Sequence, residues 1–425
     1  SERPTDIMKR STATMRLWII TDSYPTLEET FINREISLLA DQFEIVVVNC
    51  VPTSPYTGEA DPRVKIIRAE DWPGPHALIK LIAKMITSPK RTLRVVMTFC
   101  TLLTLVPWRF LRAGVGGFAR CILEFGNDVP GPFYCHYLLI PGTAALMCSA
   151  WSEKPFVASG HAVDIFKAPP RYLRHLIRCS LSTHSCTRRN CRFLRRISGT
   201  DVDLIHHGVT TSAEDPDTQN KEGEVFQLVT VARLVEKKGH SDLLLVAKDL
   251  KDLGVKFSWK FVGAGPLREA LQMQTDQLNL AGFVEWVGPL SHCETLDYTR
   301  NADLFVYRSI VTADGNRDGI PNVLIEAAAN GTAVFTSPFL GALGLKKIAG
   351  SEFGFEIAPR ELPDWASKIA ELLVLSRKLR GCDPAVRDAI QHHFGWETSM
   401  ERILNHLDKL QCPKAGQSNS QVQVL

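Results

Sequence analysis

Short runs of β-branched and aromatic residues alternate with segments of helical length along most of the chain. Thirteen such runs are four to six residues long, and each is followed by a stretch long enough for a helix. Strands that alternate with helices in this way form parallel sheets with crossover helices, so the pattern predicts an α/β fold. We predict strands at Arg16–Thr21, Glu44–Asn49, Val64–Arg68, Phe133–His136, Pro155–Ser159, Leu181–Ser185, Asp203–His206, Phe226–Val231, Phe257–Val262, Val284–Val287, Leu304–Tyr307, Ala333–Thr336 and Gly354–Ile357.

The strand pattern occurs twice, which indicates two domains. The chain has 425 residues, more than a single core usually holds. Between the two sets of strands lies the polar run SAEDPDTQNKEG, residues 212–223, whose composition is typical of a linker. We therefore predict an N-terminal domain at 15–214, a C-terminal domain at 224–395, a helix at 396–412 that crosses back to the first domain, and a disordered polar tail at 413–425.

The composition narrows the class of protein. A hydrophobic fraction of 45% and a charged fraction of 22% are typical of a soluble globular protein. The eleven cysteines are scattered without a Cys-x-x-Cys pair, so we expect reduced thiols and neither a disulfide scaffold nor a zinc site. No apolar run reaches the roughly 18 residues of a membrane-spanning helix, and residues 1–15 lack the pattern of a signal peptide. We expect a cytoplasmic protein.

A basic stretch between Trp72 and Leu123 contains eight Lys or Arg residues and no carboxylate. Two interpretations remain open: a surface for peripheral contact with an anionic membrane at its inner face, or core helices whose long cationic side chains reach water. A second basic stretch runs from Lys167 to Arg196. The net charge of the whole chain is only +3 and no recognition motif accompanies these stretches, so we do not expect a nucleic-acid partner.

The segment DGNRDGIPNVLIEAAANG, residues 314–331, contains two carboxylates on either side of a predicted helix start. A helix from Pro321 to Ala329, ended by Asn330 and Gly331, places Asp318 in the entry loop and Glu326 inside the helix. An ordinary amphipathic helix after an acidic loop fits the same residues. The alternative is an anion site flanked by carboxylates that bind hydroxyls, which suits a nucleotide-sugar. Its backbone donors are the amides of Gly319, Ile320 and Asn322.

Two cations follow the predicted strand Phe226–Val231 in the run VARLVEKKGH. Arg233 stands at the strand end and Lys238 in the loop before a helix, where ligands of open α/β sheets collect. Together they would neutralise a diphosphate leaving group, although a solvated loop also fits. The run FVGAGPLREAL then places Gly263 and Gly265 between a strand and a helix, either for close approach to a ligand or for a tight turn.

In this order the motifs resemble the C-terminal domain of GT-B fold glycosyltransferases of the large retaining family 4. Within that family the N-terminal half is similar to bacterial exopolysaccharide glycosyltransferases of the colanic-acid type, on YPTLEETFINREI (24–36), Cys135-His136-Tyr137 and GHAVDIF (160–166). The resemblance covers roughly residues 15–405. It implies a GT-B fold, with two Rossmann-like parallel-sheet domains facing across a cleft.

The resemblance also implies residue roles. Arg233 and Lys238 would bind and stabilise the donor diphosphate, and Glu326 would hold the ribose hydroxyls. The family usually has glutamate where this chain has Asp318, which leaves open the donor hydroxyl it reaches. His161 matches a histidine that faces the donor sugar. The remaining donor-binding residues would be Gly263, Gly265, Gly288, Gly319, Ile320, Pro321 and Asn322.

On the acceptor side the glycine-rich loop of many family members is replaced by residues 22–26, so the nearest acceptor candidates are Glu29, Thr30 and His136. The resemblance implies retaining, metal-independent transfer from a nucleoside-diphosphate sugar to a saccharide or lipid-linked saccharide, with no cofactor. Soluble natural-product acceptors are the alternative. A GT-B epimerase or hydrolase would need further acid and base groups, and a silent sugar-nucleotide-binding partner would lack Arg233, Lys238 or Glu326.

Overall fold

The computed structural model describes most of the chain. The described residues are 15–26, 29–52, 58–71, 75–125, 131–209, 224–313, 318, 321–338, 355–358, 361–378 and 384–411. The predicted linker and the predicted tail lie outside them. Gly319 and Ile320 also lie outside them.

The first sheet has seven strands in the order β3-β2-β1-β4-β5-β6-β7, and its pairs from β3 to β5 are parallel. The order reverses between β1 and β4, as in a doubly wound Rossmann-like sheet. Its strands are β1 Arg16–Thr21, β2 Glu44–Asn49, β3 Lys65–Ile67, β4 Phe133–His136, β5 Phe156–Gly160, β6 Ser182–Ser185 and β7 Asp203–Leu204. The helices between them are α1 Thr30–Leu39, α2 Pro75–Thr87, α3 Pro89–Leu105, α4 Trp108–Glu124, α5 Ile140–Ser152, α6 Ala162–Lys167, α7 Pro170–Cys179 and α8 Arg188–Ser198.

The second sheet has six parallel strands in the order β10-β9-β8-β11-β12-β13, with its reversal between β8 and β11. The strands are β8 Phe226–Val231, β9 Phe257–Val262, β10 Val284–Gly288, β11 Leu304–Tyr307, β12 Ala333–Thr336 and β13 Phe355–Ile357. The helices are α9 His240–Asp252, α10 Arg268–Gln277, α11 His292–Arg300, α12 Asn322–Ala329, α13 Trp365–Lys378, α14 Pro384–Phe394 and α15 Trp396–Gln411, with 3₁₀ turns at Glu236–Lys238 and Leu362–Asp364.

Both faces of the second sheet are apolar. Leu304 and Val306 pack with α9 and α13 in one cluster, whereas Phe305 and Tyr307 pack with α12 and α14 in another. Because successive strand residues point to opposite faces, a strand covered on both sides must be apolar at every position. The continuous apolar runs in the sequence are therefore the signature of a sheet between two helical layers.

All thirteen predicted strands are present, and the differences lie at their ends. The prediction Val64–Arg68 is longer than β3, and Asp203–His206 is longer than β7. Both are edge strands with one neighbour, where hydrogen bonding ends early. The helix predicted from Pro321 begins one residue later, with Pro321 as its N-cap.

The described residues divide into two compact units. The first comprises 15–184, 192–203 and 405–411, and the second comprises 185–191 and 204–404 within the described ranges. Nine cysteines fall in the described part of the chain, and they are free thiols. None of the helices described there is long and apolar enough to cross a bilayer.

Candidate functional site

A buried group of charged residues in the second unit lies where the strand order reverses. Lys238 ends the 3₁₀ turn that follows β8, Tyr307 is the last residue of β11, and Asp318 follows in the loop after it. The strands β8 and β11 are neighbours, and their crossovers leave in opposite directions. Such a reversal opens a crevice at the carboxyl ends of the strands, which is where open α/β sheets bind ligands.

The centre of this site is a hydrogen-bonded group of Lys238, Asp318, Tyr307 and Lys237. Lys238 Nζ lies 3.0 Å from Oδ1 and 2.9 Å from Oδ2 of Asp318. The Tyr307 hydroxyl donates to Asp318 Oδ2 at 2.7 Å, and it accepts a hydrogen bond from Lys238 Nζ. Lys237 Nζ lies 3.3 Å from Oδ1. The side chains of Lys238 and Asp318 are only 13% and 7% exposed, so solvent screens these contacts little.

The charges of this group leave an excess of positive potential. Burial raises the pKa of Asp318, but the charges of Lys238 and Lys237 outweigh it and lower that pKa to about 2. Burial lowers the pKa of Lys238, while the Asp318 carboxylate opposes the shift. Arg233 is exposed, and its charge acts on both Lys238 and Tyr307. Lys237, Lys238 and Arg233 carry three positive charges against the one negative charge of Asp318. The site can therefore bind a diphosphate and compensate most of its negative charge.

Backbone contacts hold the cationic loop in place. The Ile310 amide donates to the Lys237 carbonyl at 2.9 Å, and the Lys238 amide donates to the Val235 carbonyl at 3.0 Å. The Leu234 amide donates to the Ala264 carbonyl at 2.8 Å, which joins the loops after β8 and β9. The position of the cations is therefore fixed by main-chain hydrogen bonds to the loops that follow β9 and β11.

The two predicted loop glycines permit the close approach of these loops. A Cβ at Gly263 would lie 2.1 Å from the Ala232 carbonyl oxygen, and one at Gly265 would lie 2.5 Å from the Leu234 carbonyl oxygen. Gly263 also has φ +140°, a backbone conformation that residues other than glycine rarely adopt. Its amide donates to the carbonyl of Gly288 at 2.8 Å, which joins the loop after β9 to the end of β10. The structure explains these glycines by backbone approach, while their contact with a donor stays a prediction.

We expect Gly263→Ala to destabilise the second unit by about 3 kcal/mol, because the new Cβ meets a backbone oxygen and the φ angle is strained. Gly282→Ala is the matched control, because a Cβ there meets no atom within 4 Å. The control should change stability by less than about 1 kcal/mol. Urea unfolding of both variants measures the difference. Equal stability of the two variants would contradict the close approach.

Glu326 lies on α12, 8% exposed. Burial raises the pKa of its carboxyl to about 7. His292 at the start of α11 places Nε2 3.9 Å from Glu326 Oε1. Within the described residues the N-cap Pro321 makes no side-chain capping hydrogen bond, and Asn322 is the first residue of α12.

Three residues of this site did not stand out in the sequence. Tyr307 was part of an apolar strand, and its hydroxyl contacts Asp318 eleven residues further along, in the loop after that strand. Lys237 was not singled out in the sequence because it stands directly before Lys238 in the same loop. His292 follows Ser291, whose hydroxyl caps α11 in a capping box with Glu294, a local signal that could have placed it at a helix start.

In the first unit, the loops after β4 and β5 are joined by Asp164. The amide of His161 donates to Asp164 Oδ1 at 2.9 Å, and the amide of Leu138 donates to Oδ2. Burial raises the pKa of Asp164 to about 7 although these amides oppose the shift. The His161 ring packs on the rings of Tyr137 and Phe31, with centroids 4.6 and 5.5 Å away. His161 is thus held firmly at the carboxyl end of β5.

The acceptor candidates differ in their access to solvent. Glu29 and Thr30 are half-buried, and the Tyr137 hydroxyl donates to Glu29 Oε1. His136 is fully buried, and its Nε2 lies 3.3 Å from Glu35 Oε1. His136 therefore has no surface with which to touch an acceptor, a point that its position in the sequence did not reveal. Glu29 and Thr30 stay predictions.

Asp22, directly after β1, is a third carboxyl group close to Glu29 and Asp164. Burial raises its pKa to about 8, and the charges of Glu29 and Asp164 add to the shift. Its Oδ1 is buried and has no hydrogen-bond partner within the described residues. The first unit therefore brings three carboxyl groups together at the reversal of its sheet between β1 and β4.

Comparison with known proteins gives the family of the second unit. Residues 211–387 match the family model described as Glycosyl transferases group 1. The chain contains a group 1 glycosyltransferase domain. This domain includes Lys238, Tyr307, Asp318 and Glu326, so the charged site lies inside the matched region.

Among curated proteins, the chain is 27% identical over 186 residues to the "Putative colanic acid biosynthesis glycosyltransferase WcaL" of Escherichia coli (strain K12). The alignment covers 44% of this chain and 45% of WcaL, which is under half the length of each protein.

Two solved structures show the fold of the chain. The sucrose-phosphate synthase of Thermosynechococcus elongatus has a TM-score of 0.69 at 16% identity, with 94% of this chain and 100% of that chain covered. Anabaena Alr3699/HepE in complex with UDP-glucose has a TM-score of 0.61 at 14% identity, with 93% and 100% covered. The chain has the GT-B fold of such glycosyltransferases, as its motifs predicted.

Proposed function

We propose that the chain transfers a sugar from a nucleoside-diphosphate sugar to a hydroxyl of a saccharide or lipid-linked saccharide, with retention of the anomeric configuration. The observation that carries the proposal is the buried Lys238–Asp318–Tyr307 group at the reversal of the second sheet. It supplies cations where a diphosphate leaving group would develop charge. The group 1 domain around it supports a sugar-transfer reaction.

The proposed reaction uses charge compensation without a protein nucleophile. The bond between the anomeric carbon and the diphosphate oxygen breaks while Lys238 and Arg233 stabilise the departing diphosphate. The acceptor oxygen forms its bond on the same face of the sugar, and its proton passes to an oxygen of the departing phosphate. Because side-chain cations and the start of α12 compensate the diphosphate, the proposed reaction is metal-independent.

The other donor contacts follow from position. Glu326 would accept hydrogen bonds from the ribose hydroxyls, and the amide of Asn322 would bind a phosphate or sugar oxygen. His161 keeps the role that the family resemblance implies, a contact with the donor sugar. Glu29 and Thr30, half-buried beside Tyr137, are the proposed acceptor contacts.

The relatives suggest which ligands to test first. Alr3699/HepE was solved with UDP-glucose, so a uridine diphosphate sugar is a reasonable first donor. WcaL is described as a "Putative colanic acid biosynthesis glycosyltransferase", which favours a polysaccharide precursor as acceptor.

The test is thermal stabilisation of the chain by UDP, GDP, ADP and their sugar conjugates, in chelator and without added metal. A ligand at about 100 times its Kd stabilises the native state by about 2.7 kcal/mol. We expect one diphosphate nucleotide to raise the melting temperature selectively, and Lys238→Met to remove the shift. Nuclear magnetic resonance of the transfer product then determines the anomeric configuration.

Other outcomes would contradict the proposal in distinguishable ways. No stabilisation by any diphosphate nucleotide would remove the donor site. Release of free sugar or of an epimerised donor without an acceptor would indicate a hydrolase or epimerase. Binding of a donor without turnover across saccharide, lipid-linked and natural-product acceptors would indicate a silent binding partner.

A further inference from the structure

The first unit exposes an unusual number of large hydrophobic side chains along α2, α3 and the start of α4. Of the sixteen large hydrophobic residues exposed in the described part of the chain, nine lie within residues 78–108. Exposed hydrophobic residues are ordinarily scattered singly, and a contiguous patch marks an interaction surface. The nine are Leu78, Ile79, Ile82, Ile86, Leu93, Val96, Met97, Leu103 and Trp108. We call these nine exposed residues the apolar ridge.

The ridge follows the helical repeat. On α3 the exposed positions 93, 96, 97 and 103 recur every three to four residues or a multiple of that, so they form a stripe along one face. The buried positions Val95, Thr98 and Leu102 occupy the other face. On α2 the exposed positions 78, 79, 82 and 86 form a similar stripe. Helix α3 is therefore apolar both toward the core and toward solvent.

Seven of the eight cations in this region fall into two groups, and Arg91, which is half-buried, belongs to neither. Lys84, Arg94 and Arg120 bind the protein itself: Lys84 Nζ donates to the Ile122 carbonyl at 2.7 Å, Arg94 Nε to the Ala150 carbonyl at 2.8 Å, and Arg120 to the Ala69 carbonyl at 2.9 Å. These three cations are thus bound by carbonyls of the protein itself, which the interpretation of side chains that reach water did not include. The second group is exposed and consists of Lys80, Lys90, Arg109 and Arg112. No carboxylate occurs between Trp72 and Leu123 to neutralise it.

We propose that the apolar ridge enters the headgroup region of a membrane that contains anionic lipid, with Lys80, Lys90, Arg109 and Arg112 on the lipid phosphates. A surface that is both apolar and cationic has the two features that bind such an interface. The described helices cannot cross the bilayer, so the chain lies on its surface. This inference is independent of the sugar-transfer proposal and agrees with a lipid-linked acceptor.

The charge pattern disfavours a second copy of the chain as the occupant. In a two-fold symmetric dimer the same patch meets itself, which would place the exposed cations of one copy against those of the other. Like charges across an interface are repulsive, and no carboxylate of the 73–122 segment offsets them. An anionic lipid surface removes this repulsion.

Sedimentation with lipid vesicles tests the proposal. Vesicles of phosphatidylcholine with about a quarter phosphatidylglycerol should bind the full chain, whereas pure phosphatidylcholine vesicles should not. The variant Ile79→Glu/Ile86→Glu, at positions 63% and 73% exposed, should raise the lipid concentration for half-binding at least about tenfold. A second variant, Leu93→Glu/Val96→Glu on α3, should have the same effect. It replaces the first variant if that one disturbs folding.

The matched control is Leu253→Glu/Met273→Glu in the second unit. These residues are 57% and 62% exposed, so the change has the same chemistry at similar exposure away from the ridge. The control should bind vesicles like the wild type. All variants should keep nucleotide-dependent stabilisation, so loss of membrane binding is distinguishable from loss of the donor site.

Trp108 reports the depth of insertion because its side chain is 61% exposed at the start of α4. Brominated acyl chains should quench part of the tryptophan emission, and Trp108→Phe should remove that part. Three results would overturn the proposal: no binding to anionic vesicles, equal binding by the ridge variants and the control, or a concentration-dependent dimer that the ridge variants abolish.

Discussion

Lys238→Met is expected to reduce sugar transfer by between about 100-fold and 1,000-fold while the chain remains folded. Removing one preorganised charged donor from a transition state has effects of this size. Lys238 is nearly buried, and its Nζ contacts both carboxylate oxygens of Asp318. Turnover with the best donor from the thermal panel is the measurement. Methionine keeps the length of the side chain without its charge.

The remaining contacts of Asp318 should protect the fold of this variant. Lys237 Nζ at 3.3 Å and the Tyr307 hydroxyl at 2.7 Å still compensate the carboxylate. We therefore expect a loss of about 2 kcal/mol, less than that for a buried charge without any partner. Lys248→Met is the control, because Lys248 is exposed on α9 and pairs with Asp252. If Lys238→Met transfers sugar within about tenfold of the wild type, the assignment of the diphosphate site is wrong.

Glu326→Gln is expected to stabilise the protein above pH 7 and to weaken donor binding. Burial raises the pKa of this carboxyl from 4.5 to about 7 in the folded chain. The folded state therefore binds the proton more tightly than the unfolded state. The contribution of Glu326 to stability is greatest below pH 4.5, falls as the pH rises from 4.5 to 7, and is constant above 7.

Glutamine keeps the shape of the protonated acid and cannot ionise. The stability of Glu326→Gln relative to the wild type should rise between pH 4.5 and 7 to about 3 kcal/mol. Nucleotide affinity should fall about 10- to 100-fold above pH 7, because a charged acceptor of the ribose hydroxyls is lost. Urea unfolding and calorimetric titration from pH 5 to 8 measure both effects, and Glu269→Gln, exposed on α10, is the control.

The two effects have opposite signs, which separates function from fold. A site residue that costs stability and supports binding behaves in this way, whereas a structural carboxylate would lose stability when replaced. A destabilised Glu326→Gln variant with unchanged nucleotide affinity would show that Glu326 serves packing alone.

The strands were predictable because their signals are local. Strand β11 is covered on both faces, so Leu304 through Tyr307 had to be apolar without interruption. The cations after β8 were also predictable from a local signal, because Arg233 and Lys238 follow the end of a predicted strand in the sequence. Gly263 and Gly265 likewise follow the end of a predicted strand, Phe257–Val262.

The partners within the site were not predictable because they depend on pairing across the sheet. Asp318 was expected beside a donor hydroxyl. In the structure it contacts Lys237 and Lys238, which lie 81 and 80 positions earlier in the chain, and Tyr307, which lies 11 positions earlier. The burial of His136 depends on Glu35 and on the packing of β4, which no single segment reveals.

Asp318 already contacts Lys238 and Lys237, so a small anion that binds there must compete with its carboxylate. Any anion that approaches Lys238 competes with a carboxylate that is already bound through both of its oxygens. Inorganic phosphate or sulfate brings charge but no further contacts to compensate that loss. In the proposed donor site, a ligand that also contacts Glu326 and the start of α12 would gain further contacts, so the Asp318 counter-ion would favour it over free phosphate or sulfate.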